Sequence, residues 1–319
     1  MYWAIGIFLF LSIFYLLSGY AVFRRICVRR ADRSDAFEGL FSKQRLSIIG
    51  EDRLRRDHEW FDTHRTRDLC TLSHDGLRLF ATLIKAPDEV KPRGAVILFH
   101  GYRSNARRDF CLQMRTLHEA GYHVIAVDQR SHRRSEGKYI CYGIKERHDV
   151  VCWCNEAVKL FGKDIPIAIM GLSMGGATVL MASDIVNSGS VKCIIADCPF
   201  SSAHGIVSYV MKNHNRLPMS KLLLSAAGFW IRTLADFTLS APSAAEIVSR
   251  SKLPILIFHG ESDDYVPIAH SEEIALSGKD RVRLVRIPNA EHAEAVYNDE
   301  KKYNSEMLGF LDSKMNFFD

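Results

Sequence analysis

The chain has 319 residues, 47% hydrophobic and 25% charged, with 9 prolines and 20 glycines. That balance excludes disorder, collagen-like repeats and a disulfide-stapled miniprotein, and the length fits one large α/β core. A net charge of +5, from 42 Lys and Arg against 37 Asp and Glu, is too small for the dominant basic face of a nucleic-acid binder.

The first element is the segment Trp3 to Phe23, which carries no charge. At about 1.5 Å per residue it is long enough to cross a hydrocarbon layer of about 30 Å. Gly19-Tyr20-Ala21 offers a small-x-small cleavage site, but residues 1–5 lack the basic region that a signal peptide needs. Residues 1–23 are therefore expected to be a transmembrane anchor in contact with membrane lipid. Arg24, Arg25, Arg29 and Arg30 follow at once, and by the positive-inside rule they hold the remainder of the chain in the cytoplasm. Residues 24–67 read as a basic juxtamembrane helix or linker, and residues 68–319 as the folded body. Since the sheet begins only near Leu69, the body is expected to fold and work without residues 1–30. The eight cysteines show no repeated C-x-x-C and read as small buried hydrophobes in a reducing compartment. Cys152-Trp-Cys154 has no histidine at metal-ligand spacing, so no metal or other cofactor is expected.

From Asp68 on, short apolar runs alternate with helix-length stretches. Residues 69–73 and 77–85 flank the turn His74-Asp75-Gly76, as in a hairpin. Further strands are expected at 95–99, 123–127, 165–170, 193–196, 255–258 and 282–287, most of them apolar on both faces, as buried parallel strands are. Helices are expected at about 106–120, 144–161, 174–188, 267–277 and 292–312. This alternation predicts a doubly wound, mostly parallel sheet of about eight strands, with reactive groups at the carboxyl ends of the strands.

The strand from Ile165 ends in Gly171-Leu172-Ser173-Met174-Gly175 and a helical pattern follows. G-x-S-x-G at such a junction is a nucleophile elbow: the turn is sharp, and glycines on both flanks remove side chains that would collide. His100-Gly101, Asp128-Gln129-Arg130-Ser131-His132-Arg133-Arg134-Ser135-Glu136-Gly137, His259-Gly260-Glu261-Ser262-Asp263 with Val266-Pro267, and Ala290-Glu291-His292 accompany it. With these motifs, residues 69–313 resemble the α/β-hydrolase superfamily, in its bacterial esterase, acylglycerol-lipase and serine-peptidase-like branch. The resemblance implies an α/β-hydrolase fold over 68–319 and catalysis by Ser173, His292 and Asp263, in the family's order of serine, acid, histidine. Asp264 and Asp197 are the alternative acids. The backbone N–H groups of Tyr102 and Met174 would form the oxyanion hole. Where relatives carry R-G-H-G, this chain has Arg130-Ser131-His132-Arg133, so that loop must be different or more strained.

Between Phe200 and Pro254 the alternation stops, and the insertion at about 201–252, with helical stretches Gly205–Asn215 and Met219–Leu234, reads as a small lid. Phe200, Tyr209, Trp230, Arg103 and Arg133 are candidate substrate contacts. Arg103, Arg107, Arg108, Arg130, Arg133 and Arg134 form a basic rim on two loops at neighbouring strand ends. The expected activity is cleavage of small or amphipathic acyl esters by a membrane-anchored serine hydrolase. A peptidase or thioesterase on the same triad, or an inactive tethered scaffold, are the alternatives.

Overall fold

The computed structural model describes residues 2–30, 50–240 and 242–315. Its centre is a sheet of β1 (Arg67–Leu72), β2 (Arg78–Ile84), β3 (Gly94–Phe99), β4 (Tyr122–Asp128), β5 (Ile167–Leu172), β6 (Val191–Asp197), β7 (Ile255–Gly260) and β8 (Val282–Ile287). The spatial order is β1-β2-β4-β3-β5-β6-β7-β8. The β1/β2 and β2/β4 pairs are antiparallel and every later pair is parallel. Strands β3, β4, β5 and β7 are buried at every position, because helices cover both faces and leave no solvated side for a polar residue. The edge strands β1 and β8 alternate between buried and open positions.

The helices are α1 (Tyr2–Cys27), α2 (Glu51–His64), α3 (Ala106–Asp109), α4 (Cys111–Glu119), α5 (Glu146–Phe161), α6 (Met174–Met181), α7 (Ala203–Asn213), α8 (Ser220–Trp230), α9 (Ala244–Arg250), α10 (Ala269–Gly278), α11 (Ala295–Asn298) and α12 (Glu300–Met315). Because side chains alternate along a strand, Ile97 and Phe99 enter one core layer with α5, α6 and the lid. Val96 and Leu98 enter the other, with α2, α4 and α12.

Several boundaries differ from expectation. The stretches 106–120 and 292–312 each arrive as two helices, broken at Phe110 (φ −129°) and Asp299 (φ −147°), both outside the helical region. The lid contains α7 and α8 near their expected places, but also α9, where no regular element was expected. Ser243 and Glu246 start α9 with a reciprocal capping box. Of the expected juxtamembrane segment, 51–64 forms α2, and 31–49 lies outside the described residues. Six cysteines are buried, while Cys70 is exposed and Cys152 half-buried.

The first helix departs most from expectation. Residues 2–11 are exposed apolar surface, but Gly19, Val22, Phe23, Ile26 and Cys27 are buried in the molecule. Gly19 lies so close to α8 that a Cβ there would stand 2.5 Å from the Ala226 carbonyl carbon. Tyr20 meets Trp230 edge-on at 5.1 Å, and Trp230 Nε1 donates to the Leu16 carbonyl at 2.8 Å. Beyond the helix, Val28 bridges to Tyr139, and Ile140 N–H donates to the Cys27 carbonyl at 2.7 Å. The sequence placed residues 1–30 outside the folded body; in the structure the last third of α1 packs into its core.

Candidate active site

Strand β5 runs directly into α6 through Ser173, whose φ of 53° and ψ of −113° lie where an L-residue is strained. Such a conformation costs about 1–3 kcal/mol and persists only when its surroundings hold it. Here two glycines remove the obstacles. A Cβ on Gly171 would stand 2.1 Å from the Gly175 carbonyl oxygen, and one on Gly175 would stand 1.8 Å from that of Phe99. The Ser173 N–H donates to the Asp197 carbonyl at 2.7 Å, which pins the turn to β6. The hydroxyl is thereby presented above the sheet at the start of a helix.

His292, on the loop after β8, reaches that hydroxyl: its Nε2 is 3.0 Å from Ser173 Oγ. Its Nδ1 is 2.7 Å from Asp263 Oδ2. With a carboxylate facing Nδ1, the ring proton sits there and Nε2 is left to accept from the serine. Asp263 is buried and follows β7. Its other oxygen accepts the N–H groups of Tyr265 at 3.0 Å and Val266 at 2.8 Å. Burial alone would raise this carboxyl, but the hydrogen bonds from His259 and His292 and the Val266 N–H hold it well below the usual range. The two alternative acids are placed elsewhere. Asp197 Oδ2 accepts from the Tyr303 hydroxyl at 3.0 Å, and the Asp264 carbonyl accepts from Tyr209 and His214. His259 spans Ser271 and the Val266 carbonyl, and His100 lies under the Gly101 and Gln129 backbone; both are structural.

Met174, the first residue of α6, and Tyr102, after β3, both line the cavity that contains Ser173. An N–H at the first helical position has no acceptor within its own helix, which suits Met174 to the oxyanion role. The Tyr102 loop is held from two sides. His132 Nε2 accepts the Arg103 N–H at 3.0 Å. On the other side, the loop caps α1: Tyr102 OH donates to the Ile26 carbonyl at 2.7 Å, and Tyr142 OH to the same oxygen at 3.0 Å. Arg103 Nη2 donates to the Arg25 carbonyl at 2.6 Å. These oxygens are among the four that any helix leaves open at its C-terminus, where the dipole also favours a cation. Two tyrosines and an arginine at positions 102, 142 and 103 thus close the end of the first helix. Nothing in their local sequence signals it, because the partner lies more than seventy residues away.

The cavity has a volume of about 210 Å³. Ile26, Phe200, Ile206, Val207, Val210 and Met211 form its apolar wall, and Arg25, Arg30 and Arg103 stand in its lining. Of the expected substrate contacts, Phe200 and Arg103 are there. Tyr209, Trp230 and Arg133 are not among the lining residues. Tyr209 is turned to the Asp264 carbonyl, Trp230 is spent on α1, and Arg133 Nε lies 3.8 Å from Asp128. Two side-chain groups have metal-ligand proximity among the described residues: Cys198 with Asp263 and His292, and His74 with Asp75 and Asp149. Burial pushes the Cys198 thiol far up, so it stays protonated, and Asp75 and Asp149 both hold Arg130.

A family model described as serine aminopeptidase, S33, matches residues 90–226. The YqkD protein of Bacillus subtilis is 28% identical over 222 residues, covering 68% of this chain and 71% of that protein. A monoacylglycerol lipase of Mycolicibacterium smegmatis is 27% identical over 217 residues, 57% of this chain and 75% of its own. Among solved structures, the Pyrococcus furiosus esterase Pf2001 superposes with a TM-score of 0.65 at 22% identity, covering 78% of this chain and 91% of that one. The chain has the α/β-hydrolase fold. Its similarity to proteins of hydrolase, esterase and lipase type supports a hydrolase.

Against other α/β-hydrolases, the loop Arg130–Arg133 keeps the backbone path that glycine would ease: Ser131 has φ 64° and Arg133 φ 41°. The strain is offset by side-chain contacts that glycine lacks. Ser131 Oγ donates to the Tyr139 carbonyl at 2.7 Å, and the buried Arg130 is held by Asp149 and Asp75. The expected six-arginine rim is largely neutralised. Arg107 pairs with Asp62, Arg134 with Asp128 and Asp68, and Arg130 and Arg133 as above. Of the rim only Arg103 reaches the cavity, and the other arginines in its lining, Arg25 and Arg30, come from the end of α1 and the residues just after it.

Proposed function

We propose that this α/β-hydrolase is a single-pass, membrane-anchored serine esterase of amphipathic acyl esters, with its catalytic body on the cytoplasmic side. The carrying observation is the continuous contact Ser173–His292–Asp263, at 3.0 and 2.7 Å, on a strained elbow. As His292 Nε2 takes the hydroxyl proton, Ser173 Oγ attacks the acyl carbonyl carbon, and the carbonyl oxygen becomes an oxyanion facing the N–H groups of Tyr102 and Met174. Asp263 stabilises the imidazolium through Nδ1. His292 then gives its proton to the leaving alkoxide as the C–O bond breaks, leaving an acyl-Ser173 ester. Water, deprotonated by His292, attacks that ester; the fatty acid leaves and the proton returns to Ser173.

An ester is favoured over an aminopeptidase substrate by the lining of the cavity. No carboxylate stands among its residues, so nothing there would hold a free α-ammonium group. Anchoring is supported by α1, a 26-residue helix with a mean hydropathy of 2.1 over its most apolar stretch, followed by four arginines. The test is labelling by a fluorophosphonate probe, together with hydrolysis of p-nitrophenyl acyl esters against aminoacyl amides. Labelling at Ser173 and ester turnover are expected. Absence of labelling in folded protein refutes the reading, and faster amide cleavage replaces it with a peptidase.

A further inference from the structure

A helix from Trp3 needs about 20 residues to cross the hydrocarbon layer, so the crossing must extend to roughly residue 22 if it begins at the first tryptophan. That stretch includes Leu16, Gly19 and Tyr20, which carry the contact with α8 through Ala226 and Trp230. The lid helix therefore stands at the depth of the lipid headgroups, and Leu222 and Phe229 on it, with Met219 just before it, are exposed apolar side chains. Immediately beyond the crossing, Arg25 and Arg30 face the same cavity as Ser173.

The charge of that cavity is one-sided. Its lining holds three arginines and no aspartate or glutamate. Arg103 is engaged by the carbonyls of Arg25 and Val28. Arg25 makes a 3.3 Å contact with the neutral Asn215, and Arg30 has no carboxylate partner among the described residues. Arg25 and Arg30, neither with a carboxylate partner among the described residues, thus line a small cavity together with the apolar Phe200, Val207, Val210 and Met211. An arginine pair suits a phosphate or carboxylate, which it can hold bidentately. The apolar wall suits one acyl chain, since the volume is below the usual range of about 300–1,000 Å³ for larger ligands.

We propose that the end of the anchor helix is a headgroup-binding site: Arg25 and Arg30 hold the anionic group of a single-chain acyl ester drawn from the adjoining leaflet, whose ester carbonyl lies at Ser173. The inference rests on the proposed esterase reading and names its substrate class. Charge-assisted hydrogen bonds make the expected preference about 10- to 100-fold in kcat/KM.

The test uses the full chain in nanodiscs of neutral phosphatidylcholine, with two substrates of equal chain length, 1-acylglycerol 3-phosphate and 1-acylglycerol. The ratio of their kcat/KM values is measured for wild type, Arg25→Gln/Arg30→Gln, and Arg30→Glu. The phosphate ester is expected to be preferred by wild type, the double variant to lose that preference through KM, and Arg30→Glu to reverse it. An unchanged ratio in both variants overturns the proposal. So does a preference that appears only when phosphatidylglycerol is added to the disc, because the arginines would then serve the bilayer and not the substrate. A circular-dichroism spectrum and thermal midpoint matching wild type certify that each variant is folded, and Arg30→Gln alone, which breaks no hydrogen bond among the described residues, replaces the double variant if the latter does not fold. Retention of both activities by Ser173→Ala is the separate result by which the esterase reading itself fails.

Discussion

The carboxyl ends of β5 and β7 and the junction of α1 with α7 contribute to one cavity by opposite means. On the sheet side, each reactive group sits within a few residues of a strand end, and its position is fixed by local backbone: a glycine-flanked turn for Ser173 and two N–H donors for the carboxylate of Asp263. At the junction no segment is sufficient alone. The wall exists only because α1, the Tyr102 loop, Tyr142 and α7 converge. Reaction chemistry is thus encoded in short turns, while substrate selection is distributed over segments more than a hundred residues apart. The second kind of site is the easier to change without losing the first.

The largest effects should fall on the sheet side. Ser173→Ala and His292→Ala are expected to lower ester turnover by several powers of ten with the fold retained, checked by steady-state kinetics and circular dichroism. Asp263→Asn should cost nearly as much, about 10⁴-fold by analogy with other triads, because Nδ1 loses the partner that sets its tautomer. Asp197→Asn should cost far less. The reverse order would move the acid to β6.

Truncation separates the two halves of α1. Removal of residues 2–14 leaves the packed end of the helix in place and should release an active protein from the membrane. Removal of residues 1–30 strips the cavity of Arg25, Ile26 and Arg30 and leaves Tyr102, Tyr142 and Arg103 without their acceptors. It should lower kcat/KM at least tenfold and promote aggregation. Equal activity of the two truncations would show that the junction has no catalytic consequence.

Gly19→Leu is a finer probe, since even a Cβ collides with Ala226. A destabilisation of about 1–3 kcal/mol is expected from overpacking, read as a lower thermal midpoint in detergent. Rescue by Gly19→Ala alone is not expected, because the closest atom is backbone.

The smallest effect concerns pH. Burial, with His100 nearby, pushes His132 down from 6.5 to about 3, so the ring that accepts the Arg103 N–H is neutral in the folded protein. A depressed histidine contributes stability that is present above pH 6.5 and is lost as the pH falls toward 3, by at most about 1.4 kcal/mol per pH unit. His132→Gln keeps an acceptor but cannot take up a proton, so the fall in thermal midpoint between pH 6.5 and 4 should become shallower. An identical slope would exclude His132 as a contributor.

The sequence by itself determined the sheet and pointed to the proposed reacting groups. All eight strands fall on the apolar runs, since a strand buried on both faces has no choice but to be apolar. Ser173, Asp263 and His292 could be proposed together because a nucleophile elbow needs glycine at fixed spacing and the other two groups follow strand ends in the family's order; in the structure their side chains meet. Only the tertiary structure decided what surrounds them. The arginines of the 103–134 loops looked like a rim, yet Arg107, Arg130 and Arg134 meet carboxylates that are distant in sequence. Trp230 and Tyr209 looked like pocket residues, yet they turn to α1 and to Asp264. Residues 19–30 looked like membrane and linker, yet they are core and wall. Apolar periodicity states that a residue is buried, and charge that it needs a partner. Which surface buries it, and which partner meets it, is a matter of long-range packing that short stretches of sequence do not carry.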